Sequence, residues 1–434
     1  MKNVLIISYI YPPYNAPAAR RPYSWAKYLD KDKYKVTVLT CSNPDSSLGI
    51  DKTMNIELPN VTLIKVASAL NSNIGSNLRD SNTVKTSSGI KTKIKRGLVK
   101  FGTHFLVPDK AIFWYFNAIK HLKNNKDLLN SLDVVISTSP MMTNHLIGLH
   151  IKKKHSKIKL LGDLRDYHYI GGHKLRTPWP LSLFHKRFER RILERADKVT
   201  FISKSMCDIY AKAYPKYALK FSEIYIGFDK DDFNFTKVDE EEKSNKMRIF
   251  YAGSFYGGVR SPKGLLQLLD WALDEQLMSL QDVEVVIAGN FEKSLQDEMS
   301  AFQSYKTVNY IGKIPRAEVI QQYQNSSILW LIVGEQLSHY TGVPLKFYEY
   351  LASNKYIVNF APSMSEPSFL INKYKLGSNF DIHHDTQKNQ LKEWNSILNK
   401  WRQDGLNVSQ QENILEIFDR KNQTKKFEKL IDNL

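Results

Sequence analysis

The segment from Thr341 to Val358, T-G-V-P-L-K-F-Y-E-Y-L-A-S-N-K-Y-I-V, has residue types that suit an anionic ligand. It follows the apolar run Ile328 to Val333, which is typical of a buried parallel strand, and it predicts a turn and a short helix. A helix start offers unpaired N–H groups and the positive end of the helix dipole, which favour a diphosphate. Glu349, further along this helix, is a natural acceptor for sugar hydroxyls. The segment therefore indicates half of a nucleotide-sugar site, although an ordinary strand–loop–helix unit would look similar.

A second loop in the same half of the chain carries cations. The residues from Tyr251 to Leu266 read Y-A-G-S-F-Y-G-G-V-R-S-P-K-G-L-L and join another predicted strand to a helix. The glycines free the backbone, and the proline stands where the first turn of a helix tolerates one. Arg260 and Lys263 flank a position suited to phosphate, although a single loop lysine is a weak signal. Together with the loop Gly342 to Leu345 at the same sheet edge, they predict a diphosphate clamp.

The first predicted strand leads into Y-I-Y-P-P-Y-N-A-P-A-A-R-R, residues 9–21. Ligands of open parallel sheets bind outside the carboxyl ends of the strands. Small residues, Asn15 and Ala16 among them, let backbone N–H groups approach a ligand there, and Arg20 opens the next helix. The loop lacks the pattern G-x-G-x-x-G, so it does not indicate a dinucleotide site.

Two carboxylates follow a later strand of the first half, in G-D-L-R-D-Y-H-Y, Gly162 to Tyr169. Holding charges close together at the end of a strand costs free energy, so such a group indicates a polar environment with a function. Arg165 and the two carboxylates suit a polyhydroxylated acceptor, and Asp163 or Asp166 suits a base. An Arg–Asp brace that only fixes the loop is the alternative. His145 also lies near a strand end, but a lone histidine is more often structural.

Elements that alternate between strand and helix must position these groups. Both halves of the chain show short apolar runs interleaved with amphipathic stretches, which predicts βαβ crossovers and parallel sheets. We therefore expect an α/β fold with two Rossmann-like, doubly wound domains. The predicted divisions are an N-terminal domain at 1–230, a polar linker at 231–246, a C-terminal domain at 247–408 and a final helix at 409–434.

The composition favours a soluble globular protein. The chain has 434 residues, with 42% apolar and 24% charged residues, and no apolar run long enough to span a membrane. The start M-K-N-V-L-I-I-S predicts a strand and not a signal peptide. Cys41 and Cys207 show no metal-ligand spacing, so we expect a reducing cytoplasm and no metal. Sequence patterns of a P-loop, of H-E-x-x-H and of G-x-S-x-G are absent.

The charge is unevenly placed. Residues 1–215 hold 36 Lys and Arg against 15 Asp and Glu, a balance of +21, whereas the remainder has a balance of −3, which together give the net +18. Residues 68–104 predict a polar loop and then a basic amphipathic helix, which suits the surface of an anionic membrane. Packing of that helix on its own domain, and charge that serves only solubility, are the alternatives. The sequence gives no sign of specific nucleic-acid recognition.

Eight motifs in order resemble GT-B-fold retaining glycosyltransferases of the family-4 type, especially bacterial enzymes of surface-polysaccharide assembly. Besides residues 9–21, they are V-P-D-K-A-I-F-W (Val107 to Trp114), S-T-S-P (Ser137 to Pro140), L-G-D-L-R-D-Y, E-R-A-D-K-V-T-F-I-S (Glu194 to Ser203), I-G-F-D (Ile226 to Asp229), A-G-S…K-G and P-L-K-F-Y-E-Y-L-A-S-N. The resemblance covers nearly the whole chain and implies two domains that face a cleft. It also implies that the last helix crosses back to the first domain.

The resemblance implies a donor site on the C-terminal domain. Glu349 would hold the ribose hydroxyls, Lys263 and the loop amides the diphosphate, and main chain near Ile314 the base. The donor-binding set is Asn15, Ala16, Ser254, Arg260, Lys263, Ile314, Thr341, Gly342, Val343, Pro344, Leu345 and Glu349. The acceptor-binding set is Arg20 and Arg165, and the catalytic candidates are Asp163, Asp166 and His145.

The chain departs from the family at two positions. Thr341 stands where the family has the first of two paired glutamates, and Ser254 stands where a basic residue often follows the first glycine of the second domain. We expect a metal-independent hexosyltransferase, without cofactor, that moves a sugar to a glycan or lipid-linked acceptor, in the cytoplasm and peripheral to the inner face of the membrane. A sugar-nucleotide epimerase on the same fold, or a non-catalytic nucleotide-sugar-binding protein, remains the alternative.

Overall fold

The computed structural model describes residues 1–14, 16–44, 48–50, 56–69, 106–170, 180–230, 233, 246–381, 383–406, 408 and 413–434. The chain divides into two compact units, one with Met1–Tyr225 and Gln423–Leu434 and the other with Ile226–Asn422. The boundaries predicted from the sequence stay predictions. Most of the predicted linker, and residues 70–104 of the predicted loop and basic helix, lie outside the described residues.

The first unit is built on a sheet of seven parallel strands in the order β3-β2-β1-β4-β5-β6-β7. The strands are β1 (Lys2–Ile7), β2 (Tyr34–Cys41), β3 (Val61–Val66), β4 (Val134–Thr138), β5 (Lys159–Leu164), β6 (Lys198–Phe201) and β7 (Phe221–Glu223). The helices described in this part of the chain are α1 (Pro17–Tyr28), α2 (Ile112–Asn124), α3 (Lys126–Ser131), α4 (Thr143–Lys154), α5 (Leu181–Arg195) and α6 (Lys204–Ala213).

The second unit is built on six parallel strands in the order β10-β9-β8-β11-β12-β13. The strands are β8 (Met247–Ser254), β9 (Val283–Asn290), β10 (Val308–Gly312), β11 (Ile328–Ile332), β12 (Tyr356–Phe360) and β13 (Gly377–Phe380). The described helices that follow along the chain are α7 (Lys263–Asp274), α8 (Lys293–Met299), α9 (Arg316–Gln324), α10 (Leu337–Tyr340), α11 (Leu345–Ser353), α12 (Glu366–Tyr374), α13 (Gln387–Asp404), α14 (Asn413–Phe418) and α15 (Arg420–Asp432).

Burial on both faces explains why the central strands are continuously apolar. All five residues of β4 and all five of β11 are buried, as expected for strands of a parallel sheet that is covered by helices on each side. The two sheets carry separate hydrophobic cores, one around Ile6 and Ile136 and the other around Ile249 and Trp330. These sheets confirm the predicted pair of Rossmann-like, doubly wound domains.

The end of the chain returns to the first unit. Phe427 of α15 stacks on Trp25 with ring centroids 4.4 Å apart, and Ile431 is also buried in the core of that unit. The ammonium of Lys2 donates a hydrogen bond to the carbonyl oxygen of Ile431 (3.1 Å). This confirms the predicted crossing helix, although the single helix expected from residue 409 is divided in two at Asp419.

Each sheet has one point where the strand order reverses. The chain runs outward through β1 to β3 and then resumes at β4 beside β1, and in the second unit it resumes at β11 beside β8. Ligands of open α/β sheets bind outside the carboxyl ends of the strands at such points. In the described ranges, no helix is long and apolar enough to cross a membrane.

Candidate functional site

The reversal point of the second sheet holds a lysine that the sequence analysis did not identify. Lys346 lies in the first turn of α11, and Gly253 lies near the end of β8 with a φ of +150°. A Cβ atom placed on Gly253 would lie 2.4 Å from the Lys346 Nζ. Only a glycine leaves the space that the ammonium fills, so the position of Lys346 depends on having a glycine at position 253.

No carboxylate forms an ion pair with Lys346 in the described part of the chain. Its Nζ lies 3.8 Å from the centroid of the Tyr251 ring, a cation–π contact, and no hydrogen bond or ion pair reaches it there. Burial, followed by repulsion from Arg260, lowers the pKa of Lys346 well below its ordinary value, while Glu349 acts in the opposite direction. An anion bound here would relieve both the desolvation and the repulsion.

Arg260 is the second cation of this site. Its guanidinium lies over the Tyr256 ring, 5.1 Å from the centroid, and it also interacts with the hydroxyl of Tyr251. Burial raises the pKa of Tyr251 to about 12, against the opposing effect of Arg260. Tyr251 therefore contacts both cations and stays neutral, so it does not compensate their charge. Two neighbouring cations that form no ion pair with a described carboxylate make a site that favours a multiply charged anion.

The start of α11 adds hydrogen-bond donors to these cations. Pro344 occupies the N-cap position, and no side chain caps the first N–H groups of the helix. A lysine in the first turn opposes the helix dipole, which favours anions at this end. That conflict is the sequence signal by which Lys346 could have been chosen as a candidate ligand-binding residue. The other predicted cation, Lys263, is the exposed first residue of α7.

Glu349 is held in place from two sides. Its Oε1 accepts a hydrogen bond from Arg316 Nη1 (2.7 Å), and its Oε2 accepts one from the Tyr323 hydroxyl (2.8 Å). The side chain keeps 19% of its surface exposed. Because each carboxylate oxygen can accept a second hydrogen bond, the group still has acceptor sites for hydroxyls. Arg316 begins α9 just after Ile314, so it links the predicted base-binding loop to Glu349.

In the loop before α11, the backbone is more accessible to a ligand than the side chains are. Thr341 is 2% exposed, and its hydroxyl donates a hydrogen bond to the carbonyl oxygen of Leu337 (2.5 Å). Val343 is also buried, whereas Gly342, Pro344 and Leu345 are partly exposed. The Thr341 side chain is therefore directed into the protein, and it does not offer a ligand the polar group that a glutamate at this position would. On the β8 side, the Ser254 hydroxyl accepts a hydrogen bond from the Tyr256 N–H (3.3 Å).

In the first unit, Asp163 forms a buried hydrogen-bond network. It is fully buried, and both of its oxygens accept hydrogen bonds from Arg21, at 2.7 and 3.1 Å. The hydroxyls of Thr138 and Thr200 donate to it as well, each at 2.7 Å. Burial works to raise the pKa of Asp163, but the Arg21 guanidinium and these hydrogen bonds hold it below its ordinary value.

His145 is buried beside this network. It is 1% exposed, and its Nδ1 forms a hydrogen bond with the Ser137 hydroxyl (2.8 Å). Burial lowers the pKa of His145 to about 4, partly offset by Asp163. Neither Asp163 nor His145 is exposed to a substrate, so the geometry favours a structural role for both. The brace on Asp163 is formed by Arg21 and not by the neighbouring Arg165.

We predict that His145 makes the protein less stable in mild acid. The unfolded chain takes up a proton near pH 6.5, whereas folded His145 stays neutral until about pH 4, so stability falls as the pH drops through that window. The difference between these pKa values corresponds to about 3 kcal/mol. Urea unfolding at pH 7.0, 6.0 and 5.0 should show a shallower loss for His145→Gln than for the unmodified protein. The partly exposed His155, changed to Gln, is the control. Parallel pH profiles for the unmodified protein and His145→Gln would contradict the prediction.

The remaining predicted residues of the first unit lie near the start of α1. Arg165 is 8% exposed and donates to the carbonyl oxygens of Ala18 (2.8 Å) and Pro17 (3.2 Å), so it is hydrogen-bonded to the first turn of α1. Arg20 and Asp166 are partly exposed, whereas Ala16 is buried. Asn15 lies outside the described residues. The structure thus keeps Arg20 and Asp166 accessible to a ligand.

No group of three or more metal-ligating side chains is found in the described ranges. The predicted site residues divide between the two units, and those of the first unit belong largely to a buried network. In the second unit, the predicted residues Arg260 and Glu349 lie near Lys346 at the start of α11.

Comparison with known proteins shows similarity in structure alone. No protein-family model matches the chain, and no curated protein is a significant match. Sucrose-phosphate synthase from Thermosynechococcus elongatus matches with a TM-score of 0.62 and 12% identity over 100% of this chain and 99% of that chain. A glycosyltransferase from Rickettsia africae matches with a TM-score of 0.59 and 12% identity over the same shares of the two chains.

Two further matches bear on the alternatives. The lipopolysaccharide outer core galactosyltransferase WaaB has a TM-score of 0.56 and 15% identity over 100% of this chain and 99% of that chain. A structure described as a putative UDP-N-acetylglucosamine 2-epimerase from Listeria monocytogenes has a TM-score of 0.51 and 12% identity over 100% and 96%. At these identities the matches show the fold, which is the two-domain GT-B architecture. They do not show a shared activity.

Proposed function

We propose that the protein is a retaining GT-B glycosyltransferase of the family-4 type, which moves a hexosyl group from a nucleotide diphosphate sugar to a glycan acceptor. The observation that carries the proposal is the pair Lys346 and Arg260, two neighbouring cations that form no ion pair with a described carboxylate, beside the uncapped start of α11. They lie at the reversal point of a Rossmann-like sheet, where a phosphorylated ligand is expected.

The proposed donor site assigns one part of the nucleotide sugar to each feature. Lys346, Arg260 and the exposed Lys263 bind the diphosphate, together with N–H groups of the loop 342–345. Glu349, oriented by Arg316, accepts hydrogen bonds from the ribose hydroxyls. The main chain near Ile314 contacts the base. Because these cations and amides supply positive charge, the proposal includes no metal and no other cofactor.

The proposed chemistry is electrostatic. The cations stabilise the negative charge that develops on the departing diphosphate, which lowers the barrier to cleavage of the bond between sugar and phosphate. The acceptor hydroxyl attacks the anomeric carbon on the face that the diphosphate leaves, and its proton passes to a phosphate oxygen of the departing diphosphate. The bond between sugar and phosphate is thus replaced by a bond between sugar and acceptor, and the anomeric configuration is retained. We assign acceptor binding to the first unit, where Arg20 and Asp166 are accessible.

The proposed setting is the assembly of a cell-surface polysaccharide, such as a capsule or an O-antigen. The acceptor would be lipid-linked, and the protein would be cytoplasmic and peripheral to the inner face of the membrane. The balance of +21 over residues 1–215 supports attraction to anionic lipid.

Incubation with labelled nucleotide sugars tests the activity against the alternatives. We expect labelled glycan only when membrane extract supplies an acceptor, with release of the nucleoside diphosphate. A free epimerised sugar formed without extract would instead support an epimerase, whose fold this chain also resembles. Donor binding without turnover in either condition would support a non-catalytic binding protein.

Glu349 provides a prediction about the ribose. Replacing Glu349 by Gln preserves the shape but weakens the acceptors for the hydroxyls, so we expect roughly a tenfold loss of affinity for nucleoside diphosphate. Pyrophosphate, which lacks the ribose, should bind the variant about as well as the unmodified protein. Calorimetric titration of both ligands tests this. Equal losses for the two ligands would show that Glu349 acts on the phosphates and not on the ribose.

A further inference from the structure

The exposed face of α5 in the first unit combines two large apolar side chains with a row of cations. Leu183 and Phe184 are 48% and 58% exposed at the start of this 15-residue helix. The exposed basic residues that follow are Lys186, Arg187, Arg190, Arg191 and Arg195, and Glu194 is the one exposed acid among the described residues of the helix.

Helical spacing places these groups on one face. Positions three, four, seven and eight residues apart are neighbours on a helix surface, so Leu183, Arg187, Arg190 and Arg191 are adjacent. None of the four arginines of α5 forms an ion pair or hydrogen bond within the described part of the chain. Their charge is therefore available to a partner. We call Leu183, Phe184, Arg187, Arg190 and Arg191 the α5 surface.

The opposite face of the helix is fixed to the protein. Glu189 is buried and accepts hydrogen bonds from the N–H of Tyr169 (2.7 Å) and from the hydroxyls of Tyr210 and Tyr214 (both 3.0 Å). Ile192 and Leu193 are also buried. The helix is thus held by one face, and the α5 surface is not needed for packing.

We propose that the α5 surface docks on an anionic lipid membrane, with Leu183 and Phe184 entering the headgroup region and the arginines binding lipid phosphates. Charge complementarity favours a polyanion, and guanidinium groups bind phosphate with two parallel hydrogen bonds. The adjacent exposed apolar pair favours lipid over nucleic acid, because a basic helix with apolar side chains gains by burying them at the acyl boundary.

This inference names a surface for the membrane association proposed above and rests on that part of the proposed function. It does not depend on sugar transfer. Vesicle binding needs neither donor nor acceptor, and transfer to a soluble acceptor or binding of a nucleoside diphosphate needs no membrane. Failure of one proposal is therefore distinguishable from failure of the other.

Co-sedimentation of the full chain with vesicles tests the proposal. We expect binding to vesicles of phosphatidylcholine with 30% phosphatidylglycerol, little binding to phosphatidylcholine alone, and weaker binding at high salt. Arg187→Glu with Arg191→Glu should lower the partition coefficient at least about 20-fold, since each basic residue contributes roughly fivefold. Leu183→Ser with Phe184→Ser should lower it about tenfold, because the variant inserts no apolar side chains.

A matched control separates this surface from the general charge of the unit. Lys31→Glu with Lys35→Glu makes the same change in charge at exposed positions around the start of β2, and it should lower binding by less than about threefold. Thermal unfolding and binding of duplex DNA are measured for each variant, and we expect unchanged melting temperatures because the side chains are exposed.

Three results would overturn the proposal. The first is undiminished sedimentation of both helix variants, and the second is an equal loss in the Lys31 and Lys35 control. The third is vesicle binding that survives the change of Leu183 and Phe184 but falls together with DNA binding when the arginines are reversed. That result would identify a general polyanion surface and not a lipid-specific one.

Discussion

Lys346→Met is expected to weaken binding of nucleoside diphosphate roughly 10- to 100-fold without destabilising the unliganded protein. Hydrogen bonds between charged groups contribute about 1.5–3 kcal/mol, and the variant loses the ammonium that lies closest to the end of β8. Pyrophosphate should lose affinity to a similar extent, because the lost contact is to phosphate and not to ribose. Calorimetric titration measures both ligands.

The expected effect on stability has the opposite sign. Lys346 is partly buried beside Arg260, and in the described residues no carboxylate forms an ion pair with it. A methionine of similar length keeps the apolar contacts with Tyr251 and removes both the desolvation of the ammonium and its repulsion from Arg260. We therefore expect an unchanged or higher melting temperature without ligand, as is common where a site is built for function at the expense of stability.

Lys306 offers a matched control in the same unit. It is exposed, lies just before β10, and has no proposed contact with the donor. Lys306→Met should therefore leave binding of nucleoside diphosphate within about twofold of the unmodified protein. Equal losses in the two variants would mean that only the overall charge matters. A marked fall in melting temperature for Lys346→Met would assign this lysine a structural role.

The buried pair Arg21 and Asp163 is predicted to dominate the stability of the first unit. Changing Asp163 to Asn leaves the Arg21 guanidinium buried without its counter-ion, and such a change costs about 3–5 kcal/mol. Urea unfolding at pH 7 should show this loss. Binding of nucleoside diphosphate to the remaining folded protein should be unchanged, because the proposed donor site lies in the other unit.

The sign of the pH dependence follows from the depressed pKa of Asp163. The pair stabilises the folded state above about pH 4, the pKa of an unfolded aspartate, and this contribution is lost as the pH falls below that value. Arg21→Met combined with Asp163→Leu is the control, because it removes both charges and should cost less than Asp163→Asn alone. An Asp163→Asn variant that unfolds like the unmodified protein but has lost sugar transfer would restore the catalytic role predicted from the sequence.

The order of apolar runs and helices was sufficient to predict the central strands of both sheets, because strands buried on two faces must be apolar throughout. The edge strands β7 and β13 were missed, since Phe221–Glu223 has only three residues and Gly377–Phe380 reads G-S-N-F without an apolar run. The long helix α13 was missed too. The spacing of apolar residues also gave no indication that the terminal helix is divided at Asp419.

The site was harder to predict, because the role of each side chain depends on contacts with residues that are distant in the sequence. Asp163 resembled a catalytic carboxylate at a strand end until the fold placed Arg21, 142 positions earlier, against both of its oxygens. Lys346 was not predicted as a site residue, because its position depends on the space that Gly253 leaves on the distant strand β8. Glu349 was found correctly on a short helix, but its hydrogen bonds to Arg316 and Tyr323 were not foreseen.

Calorimetric titration of nucleoside diphosphates tests the donor site most directly. We expect at least one nucleoside diphosphate to bind the unmodified protein, because its phosphates compensate the charges of Lys346 and Arg260 at the start of α11. In Lys346→Met the affinity should fall, and in Lys306→Met it should persist. Absence of binding by every nucleoside diphosphate, or equal affinity in Lys346→Met, would contradict the assignment of a donor site to this unit.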